Sequence, residues 1–211
     1  MDLSNFRENY TKGGLKRKDL LDDPIEQFEL WFRQSLQTDI AEPNAFSLAT
    51  VSPEGIPSLR TVLLKIFDKK GFVFFTNYKS KKAQDIHSNP NVAMLFPWVS
   101  LERQVKIIGK AEKISTAASL KYFLSRPHGS QLGAWVSQQS HVISSRSILE
   151  IKLAEMKRKF LNKQVPLPDH WGGYRVIPEI IEFWQGGENR LHDRFEYHLI
   201  NGEWQINRLA P

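Results

Sequence analysis

Several features that mark common protein classes are missing from this sequence. Its 211 residues include no cysteine, which excludes disulfide bonds and thiolate metal sites. No run approaches the roughly 20 apolar residues of a membrane-spanning helix, and the polar segment 1–10 lacks the apolar core of a signal peptide. From these absences we expect a cytoplasmic protein without a membrane span, and we predict no metal centre.

Motifs for nucleotide and nucleic-acid binding are missing as well. There is no P-loop, no internal repeat and no low-complexity tract, and the glycine pair 186–187 lacks the context of a dinucleotide-binding loop. The net charge is +6, but apart from the cluster 16–18 the 29 basic residues are scattered among 23 acidic ones. Nucleic-acid-binding surfaces concentrate their basic residues in a patch or stripe, so the charge favours small phosphorylated ligands.

The composition predicts one folded domain with a short arm. Apolar residues make up 41% and aromatic residues 11% of the chain, enough for a sizeable core. Residues 1–22 are polar, contain a Gly-Gly pair and are predicted to form a mobile arm. The domain is predicted to span residues 23–211. It opens with a helix, since Asp23 and Pro24 form a start signal ahead of an apolar stripe.

Alternating and apolar patterns predict a sheet in most of the remaining chain. The nearly all-apolar run 61–67 is typical of a strand covered on both faces, Asn201-Gly202 is a strong hairpin signal, and residues 165–173 are predicted to form a loop. Strands are predicted at 45–51, 59–67, 72–77, 92–99, 104–114, from 181, at 195–200 and at 203–207, and helices after Ser80, from Ser115 to Arg126 and from Ser145 to about Leu161. Seven or eight strands in meander order predict a mainly β protein with α-helices, built on a closed or nearly closed antiparallel barrel.

The predicted helix after Ser80 offers a binding site for a phosphate. Ser80, Lys81 and Lys82 stand at its N-terminus, where free N–H groups, the helix dipole and two positive charges would attract an anion. The simpler interpretation is a capped surface helix with solvated lysines, which the local sequence does not exclude.

A second phosphate site is indicated at the end of the helix that follows Ser115. Tyr122 and Arg126 lie four residues apart on one helix face, and Ser130 stands just beyond it. A guanidinium flanked by two hydroxyl groups could converge on one phosphate. The alternative is that Arg126 only complements the dipole at the helix end.

Two cations interrupt the strand pattern between residues 59 and 67. Arg60 and Lys65 are five residues apart, so they face opposite sides of an ideal strand unless a bulge intervenes. They could serve different parts of a bound pair of molecules. The alternative for Lys65 is an edge lysine whose ammonium group reaches solvent.

The densest group of candidate residues lies between residues 181 and 194. Strand-forming residues come first, a glycine pair follows, and Arg190, His192 and Arg194 are then spaced by two. In extended geometry these three cations would share one face, and an anion in front of them would offset their repulsion. The alternative is a solvated basic strand paired with Glu188 and Asp193.

This stretch resembles the signature of a known enzyme family. E-F-W-Q at 182–185, followed after four residues by R-L-H-D-R at 190–194, is similar to the signature of the pyridoxine/pyridoxamine 5′-phosphate oxidases, FMN enzymes of vitamin B6 metabolism. The resemblance covers nearly the whole chain. Further similar motifs are R-T-V-L-L-K at 60–65, F-P-W at 96–98, L-E-R-Q-V at 101–105, S-R-P at 125–127, Q-L-G-A-W-V-S at 131–137, W-G-G at 171–173 and the terminal R-L-A-P.

The resemblance implies a fold, an assembly and a reaction. The family fold is an FMN-binding split β-barrel, and its members are homodimers that bind FMN at the subunit interface, so residues of both chains build each site. The family reaction converts pyridoxamine 5′-phosphate or pyridoxine 5′-phosphate to pyridoxal 5′-phosphate. The flavin takes a hydride from the C4′ carbon and passes two electrons to O₂, which yields hydrogen peroxide.

The resemblance also implies roles for individual residues. Substrate contacts are expected from Arg7, Tyr10, Lys65, Tyr122, Arg126, Ser130, Arg190 and His192, and the last two are the candidate catalytic residues beside the substrate ring. Cofactor contacts are expected from Arg60, Thr61, Val62, Leu63, Leu64, Lys65, Phe75, Thr76, Lys81, Lys82, Gln104, Gln139, Ser140, Trp184 and Arg194. Lys81 stands where many family members carry arginine. Lysine keeps the positive charge but lacks the bidentate fork of the guanidinium group.

Two other functions are consistent with parts of the pattern. One is a non-catalytic FMN- or pyridoxal-phosphate-binding protein of the same fold, against which the intact set of candidate residues counts. The other is a basic nucleic-acid-binding protein, against which the scattered charge counts. The sequence leaves open whether Lys16, Arg17 and Arg208 form a second anion site.

Overall fold

One antiparallel sheet dominates the computed structural model, which describes residues 1–5 and 8–211. The expected substrate residue Arg7 lies outside the described residues. The strands of the described chain are β1 (Ala45–Val51), β2 (Pro57–Leu63), β3 (Ile66–Asp68), β4 (Gly71–Asn77), β5 (Asn91–Trp98), β6 (Arg103–Lys113), β7 (Trp171–Gln185), β8 (Asp193–Ile200) and β9 (Glu203–Leu209). The helices are α1 (Pro24–Ser35), α2 (Lys81–Ser88), α3 (Thr116–Ser125), α4 (His128–Val136) and α5 (Ser147–Lys159).

The order of strands in the sheet shows that the predicted meander was wrong. Neighbouring strands follow the order β2-β1-β5-β6-β7-β4-β3, and β8 pairs with both β7 and β9. The length of β7 explains this order, because its first half pairs with β4 and its second half with β8, while β6 runs along its other edge. The sheet curls into a half barrel, so the predicted fold class, a mainly β split barrel with surrounding helices, is confirmed.

The first residues of β7 were wrongly predicted to form a loop. A Gly-Gly pair after Trp171 and the proline at 178 obscure the strand pattern in the sequence. Pairing with β6 is nevertheless maintained, because the register shifts between Ile108 and Gly109 and leaves room for Pro178. A Cβ on Gly109 would lie 2.0 Å from the carbonyl oxygen of Ile177, so this close approach of two backbones requires glycine.

The predicted strand 59–67 is divided into β2 and β3. Between them the chain changes partner, because Leu64 N–H donates to the Asn44 carbonyl beside β1, whereas Lys65 N–H donates to the Val73 carbonyl of β4. Leu64 turns into the core, while β2 forms a largely exposed edge of the sheet with Leu59 67% exposed. The prediction that both faces of this run are covered is therefore wrong for the single chain.

The main core lies inside the curled sheet and is closed by α1. The Asp23 carboxylate accepts from the N–H of Ile25 at 2.7 Å and caps this helix as predicted. Phe28 of α1 is fully buried and meets Phe72, Phe96 and neighbouring rings edge to face at about 5 Å. Burying each such ring stabilises the fold by roughly 1.5–3 kcal/mol.

A second, smaller core lies under α3, α4 and α5. It contains Phe123, Leu132, Phe160 and Trp171, with residues of α5 packed at its margin. The helix predicted from Ser145, with that residue as its cap, begins at Ser147 instead, and the residue at its N-cap is Arg146, which makes no side-chain cap.

Part of the N-terminal segment packs against the main core. Leu15 and Leu20 are buried in it, and the Tyr197 hydroxyl donates to the Leu21 carbonyl at 2.6 Å. These contacts join residues 15–21 to the body of the protein, and the mobility of the arm stays a prediction. None of the described helices has the length and apolar character needed to cross a bilayer.

Candidate active-site cleft

A cleft of about 840 Å³ lies between β2, β4, the start of α2 and the α3–α4 segment. This is the size range of small-molecule sites, roughly 300–1,000 Å³. The cleft brings together Arg60, Thr61, Val62, Leu63, Lys65, Phe75, Thr76, Lys81, Lys82, Tyr122, Arg126, Ser130, Gln139 and Ser140, all of them predicted site residues. Leu64 is the exception within its motif, since its side chain lies in the core.

Arg60, Lys81 and Lys82 form a group of three positive charges in this cleft, which we call the α2 cation group. The Arg60 guanidinium donates to the Leu48 carbonyl at 3.1 Å, to Thr50 Oγ1 at 2.7 Å and to Ser58 Oγ at 2.6 Å. These bonds fix the side chain on β1 and β2. Between β2 and β3 the chain changes its hydrogen-bonding partner from β1 to β4. Lys65 therefore lines the same cleft as Arg60, although the two residues are five apart.

A buried carboxylate, Asp85, balances part of this charge. It accepts from Lys81 Nζ and from Thr50 Oγ1, both at 2.7 Å, and lies 4.0 Å from Arg60 Nη2. Burial alone would raise the pKa of Asp85, but the hydrogen bonds from Lys81 and Thr50 outweigh it and hold that pKa below its usual value. Asp85 therefore stays ionised at neutral pH.

Lys82 is the most buried of the three cations. Its Nζ donates to Thr76 Oγ1 at 3.2 Å and to Ser80 Oγ at 3.3 Å. Burial, with a further contribution from the nearby Arg60 charge, lowers the pKa of Lys82 to about 8. Because Ser80 is buried and makes no side-chain cap, the alternative of a capped surface helix is wrong.

The loop after α4 covers the start of α2. Lys81 N–H donates to Ser140 Oγ at 3.3 Å, and Thr76 Oγ1 donates to Gln139 Oε1 at 3.2 Å. Asn77 adds a bond to the Ser137 carbonyl at 3.0 Å. These contacts bring the predicted pair Gln139 and Ser140 to the α2 cation group.

Tyr122, Arg126 and Ser130 form a second polar group in the same cleft, here called the α3 group. The Arg126 guanidinium lies 4.6 Å from the centre of the Trp171 ring, and the ring of Tyr122 stacks on Phe75 at 3.9 Å. Arg126 Nη1 is buried and has no hydrogen-bond partner among the described residues. An unpartnered buried donor on a cation costs stability unless an anion satisfies it, so this group fits an anionic ligand.

The remaining predicted cofactor residues line a different, smaller pocket of about 270 Å³. We call it the signature pocket, and its walls include Gln104, Lys106, Glu182, Trp184 and Arg194. Glu182 is buried, accepts from Arg194 Nε at 2.7 Å and also pairs with Lys106. Burial would raise the pKa of Glu182, but its bonds with Arg194 and Lys106 lower that pKa overall.

Tyr10 and His192 lie beside this pocket and contact the same ring. Tyr10 meets Trp184 at 5.7 Å and His192 at 5.6 Å between ring centres, and His192 lies 4.7 Å from Trp184. Gly187 N–H donates to His192 Nδ1 at 3.2 Å, which leaves the ring proton on Nε2. A Cβ on Gly186 would lie 2.8 Å from Tyr10 Cγ, so glycine is required for this packing.

The predicted common face of Arg190, His192 and Arg194 is wrong. Arg190 ends a single helical turn with a positive φ of 61°, and β8 begins only at Asp193. Arg190 is exposed, whereas Arg194 is directed to Glu182. The turn at 188–190 interrupts the extended geometry on which the prediction depended.

The alternative pairing of this stretch with acidic neighbours is not observed for Asp193. Its carboxylate accepts from Arg208 at 2.6 Å and from Leu15 N–H at 2.9 Å. Arg17 pairs with Asp22 at 3.3 Å. Arg17 and Arg208 thus have separate acidic partners, and a second anion site at these residues stays a hypothesis.

Comparison with known proteins assigns the chain to a family. Residues 32–160 match the family described as pyridoxamine 5′-phosphate oxidase, and residues 171–211 match the pyridoxine 5′-phosphate oxidase C-terminal dimerisation region. The chain belongs to the pyridoxamine 5′-phosphate oxidase family. The resemblance noted in the sequence is therefore confirmed.

Named relatives and a solved structure agree with this family. Pyridoxine/pyridoxamine 5′-phosphate oxidase from Aliarcobacter butzleri (strain RM4018) is 64% identical over the full length of both chains. The oxidase from Escherichia coli O9:H4 (strain HS) is 56% identical over 99% of this chain and 96% of that one. The crystal structure of PhzG from Burkholderia lata 383, in complex with tetrahydrophenazine-1-carboxylic acid, has a TM-score of 0.88 at 27% identity and covers 93% of this chain and 98% of that one.

Several residues of the oxidase cleft were not predicted from the sequence. The unassigned lining residues are Ser58, Leu59, Asn77, Gly133, Ala134, Ser137 and Trp171. Thr50 and Asp85, behind the cleft, were also missed. A usable signal existed for Asp85, because it stands four residues after Lys81 on one helix face. No local pattern indicates Thr50, which joins the group only through the pairing of β1 with β2.

Proposed function

We propose that this protein is an FMN-dependent oxidase that converts pyridoxamine 5′-phosphate and pyridoxine 5′-phosphate to pyridoxal 5′-phosphate, with O₂ reduced to hydrogen peroxide. The observation that carries the proposal is one cleft lined by two positively charged groups of polar residues, the α2 cation group and the α3 group. Two phosphorylated molecules, a cofactor and a substrate, need two such groups. The full-length relatives that carry the oxidase name support the same function.

The residues of the cleft fit a flavin with a single phosphate. Arg60, Lys81 and Lys82 supply charge for one phosphate monoester, which carries about −2 at neutral pH. The strand 60–65 and the residues Phe75 and Thr76 line the same cleft and would hold the rest of the cofactor. When bound, FMN would supply the hydride acceptor and the two-electron reduction of O₂.

The α3 group, together with Lys65, would bind the substrate phosphate. Arg126 gives this group a guanidinium that lines the cleft, and Tyr122 and Ser130 offer hydroxyl groups in the same cleft. Trp171 holds the guanidinium from one side. Binding through the phosphate would leave the ring of the substrate free to be oriented by other residues.

We propose that those other residues come from a second copy of the chain. Within one chain, Tyr10, Trp184, His192 and Arg194 are outside the lining of the cleft, although the family resemblance assigns them to the same site. The match of residues 171–211 to a dimerisation region and the exposed edge strand β2 support a homodimer. Its interface would bring one copy's signature pocket to the other copy's cleft.

Arg190 and His192 would then act beside the substrate ring. The Nε2–H of His192 can donate to the 3-oxygen on the substrate ring, since Nδ1 already accepts from Gly187. Arg190 is exposed, and its positive charge could orient the substrate ring through the ring's 3-oxygen. Contacts that strengthen as hydride leaves would lower the barrier of the chemical step rather than only the dissociation constant.

The test is rapid anaerobic mixing of the flavin-loaded protein with pyridoxamine 5′-phosphate, followed by an aerobic peroxide assay. The unsubstituted protein should lose its flavin absorption and form hydrogen peroxide, and Arg190→Ala and His192→Ala should do so more slowly at saturating substrate. A flavin-containing protein that forms no peroxide would instead be a non-catalytic carrier. Bleaching at an unchanged rate in both variants would remove the catalytic role from these residues.

A further inference from the structure

The carboxylate of Asp85 lies behind the cleft and is not itself part of its lining. Its side chain is fully buried, yet it contacts two members of the α2 cation group. Lys81 donates to Oδ1 at 2.7 Å, and Arg60 Nη2 lies 4.0 Å from Oδ2. A buried charge is retained in a fold only with close partners, and here the partners are the cations that face the cleft.

Thr50 connects the same carboxylate to Arg60 through two hydrogen bonds. Its hydroxyl accepts from Arg60 Nη1 at 2.7 Å and donates to Asp85 Oδ2 at 2.7 Å. Thr50 is also fully buried. Arg60 on β2 and Lys81 on α2 are therefore tied, across two elements, to one carboxylate.

The charges of this cluster match a phosphate monoester. Arg60, Lys81 and Lys82 with Asp85 leave a net charge of about +2, against about −2 on the phosphate. The carboxylate offsets part of the repulsion among the three cations, and it accepts a hydrogen bond from Lys81 Nζ at 2.7 Å. Asp85 thus limits the charge and also fixes the directions of two donors.

We propose that Asp85 is a positioning residue for the cofactor phosphate, acting directly on Lys81 and through Thr50 on Arg60. This inference rests on the proposed function, in which the α2 cation group binds the phosphate of FMN. The residue does not touch the phosphate. Its effect is to hold the guanidinium and the ammonium group in the arrangement that the phosphate requires.

A purely electrostatic role would have the opposite consequence. Removing a negative charge next to an anion site strengthens the attraction for the anion. Loss of orientation weakens it, because the donors must then be ordered on binding. The sign of the change in phosphate-dependent affinity therefore separates positioning from charge alone.

The experiment compares FMN with riboflavin, which lacks the phosphate. Full-length protein stripped of flavin is titrated with each compound, and binding is followed by quenching of flavin fluorescence. We expect Asp85→Asn to weaken FMN binding by at least about tenfold while changing riboflavin binding by less than about threefold. A merely structural defect would weaken both compounds alike.

Two Thr50 variants keep the test valid if Asp85→Asn folds poorly. Thr50→Val removes the bridging hydroxyl without changing any charge and should weaken FMN binding about three- to tenfold, whereas Thr50→Ser retains the hydroxyl and should bind FMN normally. Glu179→Gln is a control, because it removes an exposed carboxylate that pairs with Lys110 outside the cleft. Circular dichroism and thermal melting verify the fold of each variant.

The outcomes distinguish the two proposals. If the unsubstituted protein binds neither flavin, the proposed function fails and the role of Asp85 fails with it. If it binds FMN more tightly than riboflavin, but Asp85→Asn and Thr50→Val bind FMN as tightly or more tightly, only the positioning role is overturned.

Discussion

The α2 cation group and the signature pocket use the same device in different surroundings. In each, one buried carboxylate holds two cations: Asp85 binds Lys81 and faces Arg60, and Glu182 binds Arg194 and Lys106. Both carboxylates have a lowered pKa despite their burial. The cations of the first cluster face a cleft of about 840 Å³, whereas those of the second line a pocket of about 270 Å³.

The difference indicates which region can bind a ligand within one chain. The cleft contains both the α2 cation group and the α3 group, so under the proposed function it offers one group to each of two phosphates. The signature pocket offers an aromatic ring and one guanidinium already engaged with Glu182 and with the Ala210 carbonyl. We therefore infer that the cleft determines phosphate binding and that the signature pocket contributes only when a second copy brings it to the cleft.

The largest expected effect on stability comes from breaking the buried pair in the signature pocket. Glu182→Gln leaves Arg194 and Lys106 without their carboxylate and should lower the free energy of unfolding by about 2–3 kcal/mol. This loss is smaller than for a fully buried ion pair, because both cations are partly exposed. Chemical denaturation measures this loss. Glu179→Gln, which breaks an exposed pair with Lys110, should change stability by less than about 1 kcal/mol.

An equal loss in these two variants would contradict the comparison. It would mean that Glu182 is no more important to the fold than a surface carboxylate. The signature pocket would then lack the internal support that the structure gives it.

Binding of the substrate phosphate should depend on the α3 group. Arg126→Ala removes a charged donor from the cleft and should weaken substrate binding by roughly 1.5–3 kcal/mol, about ten- to a hundredfold. Retention of FMN should be nearly unchanged, because the proposed function assigns the cofactor phosphate to the α2 cation group, of which Arg126 is not a member. Titration of each ligand decides this, and a variant that loses FMN but keeps substrate affinity would assign Arg126 to the cofactor.

The smallest expected effect is a pH dependence of cofactor binding. Lys82 has a pKa of about 8 in the unliganded protein, so its positive charge is present below that pH and is lost above it. Arg60 and Asp85 keep their charges in this range. FMN affinity should therefore fall as the pH rises above about 8, by no more than about tenfold per pH unit.

Lys82→Arg is the matched variant for this titration. Arginine remains protonated throughout the range, so the fall in affinity above pH 8 should disappear. Fluorescence titrations at pH 7, 8 and 9 compare the two proteins. An identical fall in both would show that another group titrates.

The local patterns of the sequence were sufficient for much of the fold. Periodicity and turn chemistry alone predict helix α1 with its Asp23 cap, strands β1, β4, β5 and β6, and the hairpin at Asn201-Gly202. These elements were predictable because each depends on residues close together in the chain. The family resemblance added the split-barrel class, which local patterns indicated only as a barrel.

The features that sequence patterns did not predict depend on distant partners. The division of strand 59–67 arises where the chain exchanges β1 for β4. The role of Thr50 exists only because β1 places its hydroxyl between Arg60 and Asp85. No spacing of residues within one segment encodes such contacts.

If the proposed dimer is correct, one chain's cleft and the other chain's signature pocket, with the adjacent His192, form each site. Co-expression of Arg126→Ala and His192→Ala chains with different purification tags, followed by purification of the mixed dimer, tests it directly. If sites are shared, the mixed dimer contains one intact site and should recover about half of the unsubstituted activity, although each variant alone is impaired. If every site belonged to a single chain, both sites of the mixed dimer would be defective, and activity at the level of the two variants alone would contradict the claim.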